Sequence, residues 1–182
     1  MPTVFLSPST QEFNPFVTGG DEEYYMNLII DAMIPYLDAS GIKWSRNDRR
    51  ANAAAAIAKS NAAKYDLHFA LHSNASPEYL SGRLQGSDVY YFPGSVKGRR
   101  AAVIIADNLR DIYPQPQLVD VRTSSELGEL RRTRAPSVFV ELAYHDNFED
   151  AVWIRDNIDL IAANLSFSIA QYFGVDPVMP QR

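Results

Sequence analysis

The chain contains no cysteine, so neither a disulfide nor a thiolate metal site can contribute, and any metal has to be held by His, Asp, Glu, Gln or Asn. Histidine is scarce too, at 3 of 182 residues. No apolar run approaches the roughly 20 residues of a membrane helix, so no membrane span is expected. The opening residues Met1 to Leu6 have neither a basic n-region nor a long apolar h-region, and no export signal is visible. An excess of basic charge is also missing. The net charge is −5, and the pairs Arg49-Arg50, Arg99-Arg100 and Arg131-Arg132 are scattered as solvated faces, which argues against nucleic acid as a partner. What is present is 46% hydrophobic and 21% charged, sufficient for one globular domain with a sizeable core. That domain is expected to span residues 1–175, with 176–182 as a C-terminal tail.

The periodicities alternate between strand and helix. Thr3 to Leu6 is a β-prone run stopped by Ser7-Pro8-Ser9, followed by a polar loop containing Pro and Gly. Asp21 can cap a helix in which Met26, Ile29, Ile30, Met33, Ile34 and Leu37 recur at helical spacing until Gly41, with Pro35 expected to bend or split it. Strands are predicted at Ile42 to Arg46, Leu67 to His72, Ser87 to Phe92, Leu118 to Val121 and Ser137 to Ala143. Helices are predicted at Ala51 to Ala63, Val96 to Tyr113 and Phe148 to Phe173, the last broken near Asp156, while Thr123 to Ala135 gives no clear signal. The order implies an α/β domain of three layers, α/β/α, around a mainly parallel, mixed sheet of a phosphorylase- or hydrolase-like kind.

Two residues stand where such a sheet places its chemistry, just beyond the carboxyl ends of strands. His72 ends the run Leu67-His68-Phe69-Ala70-Leu71. His68, four residues earlier and on the same face by the strand period of two, reads as a packed, hydrogen-bonded imidazole. Glu141 ends the apolar run Val138-Phe139-Val140, where a carboxylate is costly to bury. It is either an ion-pair partner of a nearby arginine such as Arg134 or a functional carboxylate beside a metal or substrate.

Taken in order, Val4-Phe5-Leu6, Glu23-Tyr24-Tyr25-Met26-Asn27-Leu28, Arg46, Asp66 to Ala75, Ser81-Gly82, Tyr90-Tyr91, Leu130-Arg131-Arg132 and Ala135 to Glu141 resemble the zinc-dependent N-acetylmuramoyl-L-alanine amidases, the family-3 amidases of the bacterial cell wall. The resemblance covers nearly the whole chain. It implies zinc as cofactor, Glu23 and His72 as metal ligands, and Glu141 in catalysis beside the attacking water. Asn74 and Arg46 are implied at the substrate, which would be peptidoglycan or a muropeptide. A monomer acting in the cell wall or outside the cell is expected. One departure stands out: where the family has a histidine after strand one, this chain reads Ser7-Pro8-Ser9-Thr10-Gln11-Glu12-Phe13-Asn14. Thr10 is the positional match and a poor zinc ligand, which leaves Gln11, Glu12, Asn14 or His145 as candidates for the third donor. Two alternatives stay open, a metal-depleted relative that binds muropeptide or wall without catalysis and a zinc carboxypeptidase-like peptidase.

Overall fold

The computed structural model describes residues 1–180. Six strands, β1 (Thr3–Pro8), β2 (Lys43–Arg46), β3 (Leu67–Asn74), β4 (Ser87–Tyr91), β5 (Val119–Thr123) and β6 (Ser137–Tyr144), form one sheet in the order β2-β1-β3-β6-β4-β5. β2, β1, β3 and β6 run parallel, whereas β4 is antiparallel to β6 and carries β5 parallel to itself. The helices are α1 (Glu22–Ala39), α2 (Ala53–Asn61), α3 (Val96–Arg110), α4 (Gly128–Arg131), α5 (Phe148–Asp156) and α6 (Ile158–Phe173). The expected three-layer α/β architecture is thus observed. No helix among the described residues is long and apolar enough to cross a membrane.

Strand order fixes where a site can form. The chain leaves β1 through α1 to reach β2 on one side, then returns through α2 to β3 on the other, so the order reverses between β1 and β3. A crevice opens at the carboxyl ends of the strands at such a reversal, because the two crossover helices lie on opposite faces. The large core holds Val4 and Leu6 of β1, Phe69 and Leu71 of β3 and Val138 and Val140 of β6 against α1, α3 and α6. Alternation then sends Phe5, His68, His72, Phe139 and Glu141 to the opposite face, where Ala70, Leu130 and Phe139 form a small second apolar cluster. One face supplies stability; the other is left for polar side chains.

Capping sets the helix ends. Asp21 accepts the Tyr24 amide at 2.8 Å, and Asn52 accepts the Ala55 amide at 3.0 Å. α1 runs through Pro35 without interruption, so the expected split does not occur. The last helical segment does divide, at Asn157, and Gly174 closes α6 in the left-handed region at φ 68°. Phe69 is 0% exposed at the centre of the sheet. Phe69→Ala should therefore cost about 3–5 kcal/mol of unfolding free energy, read as a lowered denaturant midpoint with an unchanged slope.

Candidate active site

The buried residues at the crevice are assembled from four separate segments. His72 lies near the end of β3 with its ring stacked on Phe139, centroids 4.3 Å apart and planes 14° apart. Its Nδ1 faces Oε1 of Glu22 at 2.9 Å, and its Nε2 faces Oε2 of Glu129 at 3.2 Å. Glu22 opens α1 and is 1% exposed; Glu129 belongs to α4 and is 4% exposed. Glu22 also accepts from Asn14 Nδ2 at 2.7 Å through its second oxygen, and from the Ser73 amide at 3.4 Å. The Gln11 side-chain amide sits against both partners, 3.4 Å from Nδ1 of His72 and 3.5 Å from Oε1 of Glu22. Its Nε2 donates to Glu22, and a half-turn of the amide would bring its oxygen to the same place.

The neighbouring strand adds a third carboxylate. Glu141 stands opposite His72 in the parallel register of β3 and β6, and opposite Asp88 in the antiparallel register of β6 and β4. Register partners share a face, so a row His72, Glu141, Asp88 crosses three strands. Asp88 is occupied by Arg122 Nε at 2.7 Å and by the Tyr90 hydroxyl at 3.3 Å. Glu141 is not: its Oε2 is buried and has no hydrogen-bond partner.

Electrostatics divide these groups. Burial alone would lower the basicity of His72, but its bonds to Glu129 and Glu22 overcome that and push its pKa up to about 10. Burial would raise both of those carboxyls; the His72 imidazole holds Glu22 below the ordinary range, and His68 with His72 does the same for Glu129. Glu141 goes the other way. Burial, with the charges of Glu22 and Asp88, outweighs the attraction of His72 and carries it to about 7. An unpartnered carboxylate that titrates near neutrality beside two ionised ones is suited to moving protons.

The family model of N-acetylmuramoyl-L-alanine amidase matches residues 18–171. The chain belongs to that family. Its members are hydrolases of the amide that joins N-acetylmuramic acid to L-alanine in peptidoglycan, so the expected enzyme class and reaction are borne out and the carboxypeptidase-like alternative is set aside. No protein of curated function matches the chain. Among solved structures, the amidase AmiC2 of Nostoc punctiforme superposes with a TM-score of 0.81 at 16% identity, over 95% of this chain and 97% of its own. Ami1 of Mycobacterium smegmatis gives 0.80 at 17% identity over 95% and 97%. The catalytic domain of the CD27L endolysin, which targets Clostridia difficile, gives 0.77 at 20% identity over 94% and 98%. At these identities the likeness concerns the amidase fold.

The structure brings His72 and Glu141 side by side on one sheet face, but it exchanges one glutamate for its neighbour. Glu23, expected as the ligand from α1, points elsewhere: it accepts from Asn27 Nδ2 at 3.1 Å and lines a charged hollow with Glu12, Arg49 and Arg50. A helix turns about 100° per residue, so only one of two adjacent glutamates can face His72, and that one is Glu22. Of the four candidates for a third donor, only Gln11 touches both His72 and Glu22. Glu12 is part of the hollow around Glu23, and Asn14 meets Glu22 on the oxygen away from the imidazole. His145 bonds to Ser73 Oγ at 2.9 Å and stacks on Phe16.

The two residues expected at the substrate make bonds within the chain. Arg46 pairs with Asp31 and donates to Asn27. Asn74 folds back to accept the Ala75 amide at 2.9 Å. His68 has the packed role expected of it, bonded to Ser60 and Glu129 and stacked on Phe5. Glu129 was not among the expected site residues. It lies in the stretch Thr123 to Ala135, where no apolar period marks a helix.

Proposed function

We propose that the chain hydrolyses the amide between the lactyl group of N-acetylmuramic acid and the L-alanine of the stem peptide with the help of zinc, and that Glu22, His72 and the side-chain amide of Gln11 would hold the metal. The observation that carries this reading is the convergence of Glu22 and His72 beside Glu141, whose buried oxygen lacks a partner. The donor chemistry fits: zinc in hydrolases takes about three protein ligands through N and O and keeps a position open for water. Bound there, zinc would polarise the scissile carbonyl and lower the pKa of water.

Glu141 then accepts the proton of the attacking water and delivers it to the nitrogen of the departing L-alanine. A C–O bond forms, the C–N bond breaks, and the products are a lactyl carboxylate and a free amine. Burial of His72 and Glu22 excludes bulk water and keeps their donors aimed at one point. The substrate on this reading is peptidoglycan in the wall.

Metal analysis paired with an assay for new L-alanine amino termini tests the proposal. Close to one zinc per chain together with new termini supports it; neither, with muropeptide binding retained, overturns it. That second reading, a non-catalytic binder, draws on one observation: no group of three His, Asp or Glu side chains among the described residues could hold a metal ion. The amide of Gln11 is the feature that distinguishes the two.

The pH profile offers a separate check. Glu141 works as a base only when ionised, and its pKa lies near 7, so kcat should climb as pH rises towards neutrality and fall about tenfold per unit below the limb. A cation at Glu22 and His72 favours the carboxylate and can only move that limb to lower pH. A limb that survives in Glu141→Gln would belong to another group.

A further inference from the structure

Glu129 is a buried carboxylate that the proposed proton transfer does not use. It sits on the four-residue helix α4, whose packing contact with the second apolar cluster is made by Leu130. Stripping water from a carboxylate costs several kcal/mol unless bonds replace it, and here they do. Oε1 takes the Ser7 hydroxyl and Nε2 of His68, the latter at 3.1 Å; Oε2 takes Nε2 of His72 at 3.2 Å. Thr133 bonds to the Glu129 carbonyl at 2.7 Å and ties down the same short helix. His68 is itself fixed by Ser60 at 2.9 Å.

An ionised carboxylate only accepts hydrogen bonds. Each partner therefore has to bring a hydrogen, and both His72 nitrogens face such a carboxylate: Nδ1 donates to Glu22 at 2.9 Å and Nε2 to Glu129 at 3.2 Å. Flipping the ring would turn carbon atoms towards both Glu22 and Glu129, so the two nitrogens cannot exchange places. We propose that Glu129 is a positioning residue for His72: where a cation takes the place of the Nδ1 hydrogen between His72 and Glu22, Glu129 keeps the other hydrogen on Nε2 and with it the tautomer and orientation of the ring. The inference rests on the metal reading given above and deepens it. A histidine that donates its far N–H to a carboxylate is fixed in tautomer and orientation and is a more basic ligand, and loss of such a partner typically costs 10–100-fold in metal affinity.

The test uses the full chain and zinc as the probe, with two readouts. Long-range ¹H–¹⁵N NMR of the imidazoles reports the His72 tautomer, and competition with a chelator reports affinity. In the zinc-loaded wild type, His72 should carry its proton on Nε2. Glu129→Gln, of equal size, should bind zinc roughly 10–100-fold more weakly and lose the uniform tautomer, and Glu129→Asp should recover part of the affinity. Wild-type affinity and tautomer in Glu129→Gln would overturn the role of Glu129 while leaving the metal reading intact. Should Glu129→Gln fail to fold, the wild type alone decides, because a proton on Nδ1 with zinc on Nε2 overturns the proposal. A wild type that takes up no zinc, or a His72→Ala variant that binds it equally well, overturns the metal reading and this inference with it.

Discussion

Glu141→Gln should lower kcat by roughly 10²–10⁴-fold and leave zinc content and fold unchanged. The substitution keeps the size of the side chain on a strand whose neighbours Val140 and Leu142 are 0% exposed, so it opens no cavity. It removes only the ability to take a proton. Stability should move in the opposite direction to activity. Burial raises the Glu141 pKa from its ordinary 4.5 to about 7, and for a carboxyl group a raised folded pKa means that the ionised form is the one disfavoured. The wild type therefore gives up stability as pH rises through that window, and the neutral amide does not. Above pH 7 the variant should unfold at the same or a higher denaturant concentration than wild type while turning over little substrate. Metal analysis, kcat and an unfolding curve on the two proteins check this together. Equal loss of zinc in Glu141→Gln would make Glu141 a ligand instead of a base.

The row His72, Glu141, Asp88 explains why part of the site could be read from residues alone. A strand buried on both faces is expected to be apolar throughout, so His72 at the end of β3 and Glu141 on β6 stand out as polar intrusions. Their adjacency then follows from a parallel pairing that the alternation of elements already suggests. Long-range hydrogen-bond partners do not stand out in that way. Glu129 reaches His68 and His72 from 61 and 57 residues away, and one glutamate in the polar stretch Thr123 to Ala135 resembles any solvated residue until tertiary structure buries it. The proposed third donor, Gln11, is hidden for a different reason. Gln11 lies in a loop whose path is set by contacts such as the Ser9 amide on the Leu71 carbonyl at 2.9 Å and the Glu22 amide on the Asn14 carbonyl at 3.0 Å, and a loop of this kind carries no period from which to infer direction. Resemblance puts Arg46 and Asn74 at the substrate; in the fold Arg46 bonds to Asp31 and Asn27, and Asn74 accepts the Ala75 amide.

The two glutamates of α1 form the sharpest comparison, because Glu22→Gln should reduce zinc affinity by more than roughly 100-fold, the upper end of what losing only an outer hydrogen-bond partner costs, whereas Glu23→Gln should leave it within about twofold. The apolar stripe of α1 holds the reason. Met26, Ile29, Ile30, Met33 and Leu37 are 0–1% exposed, and stepping back four residues from Met26 along that stripe reaches Glu22, one position before Glu23. Glu22 thus enters the protein on the buried side of the helix and meets Nδ1 of His72, Asn14 and the Ser73 amide. Its amide replacement keeps the volume but loses the negative charge that a dication needs and presents N–H groups where His72 and Asn14 also offer hydrogens. Glu23 lies about 100° around the helix, beside Glu12, Arg49 and Arg50. Burial raises its pKa while Arg49 opposes that, and a glutamine there still accepts from Asn27. Its effect on stability should stay within about 0.5 kcal/mol, as for surface changes generally. Chelator competition and the amino-terminus assay on the two variants decide the phase of the helix. Zinc and turnover lost in Glu23→Gln but kept in Glu22→Gln would move the ligand to Glu23 and require α1 to start one residue later than its Asp21 cap places it.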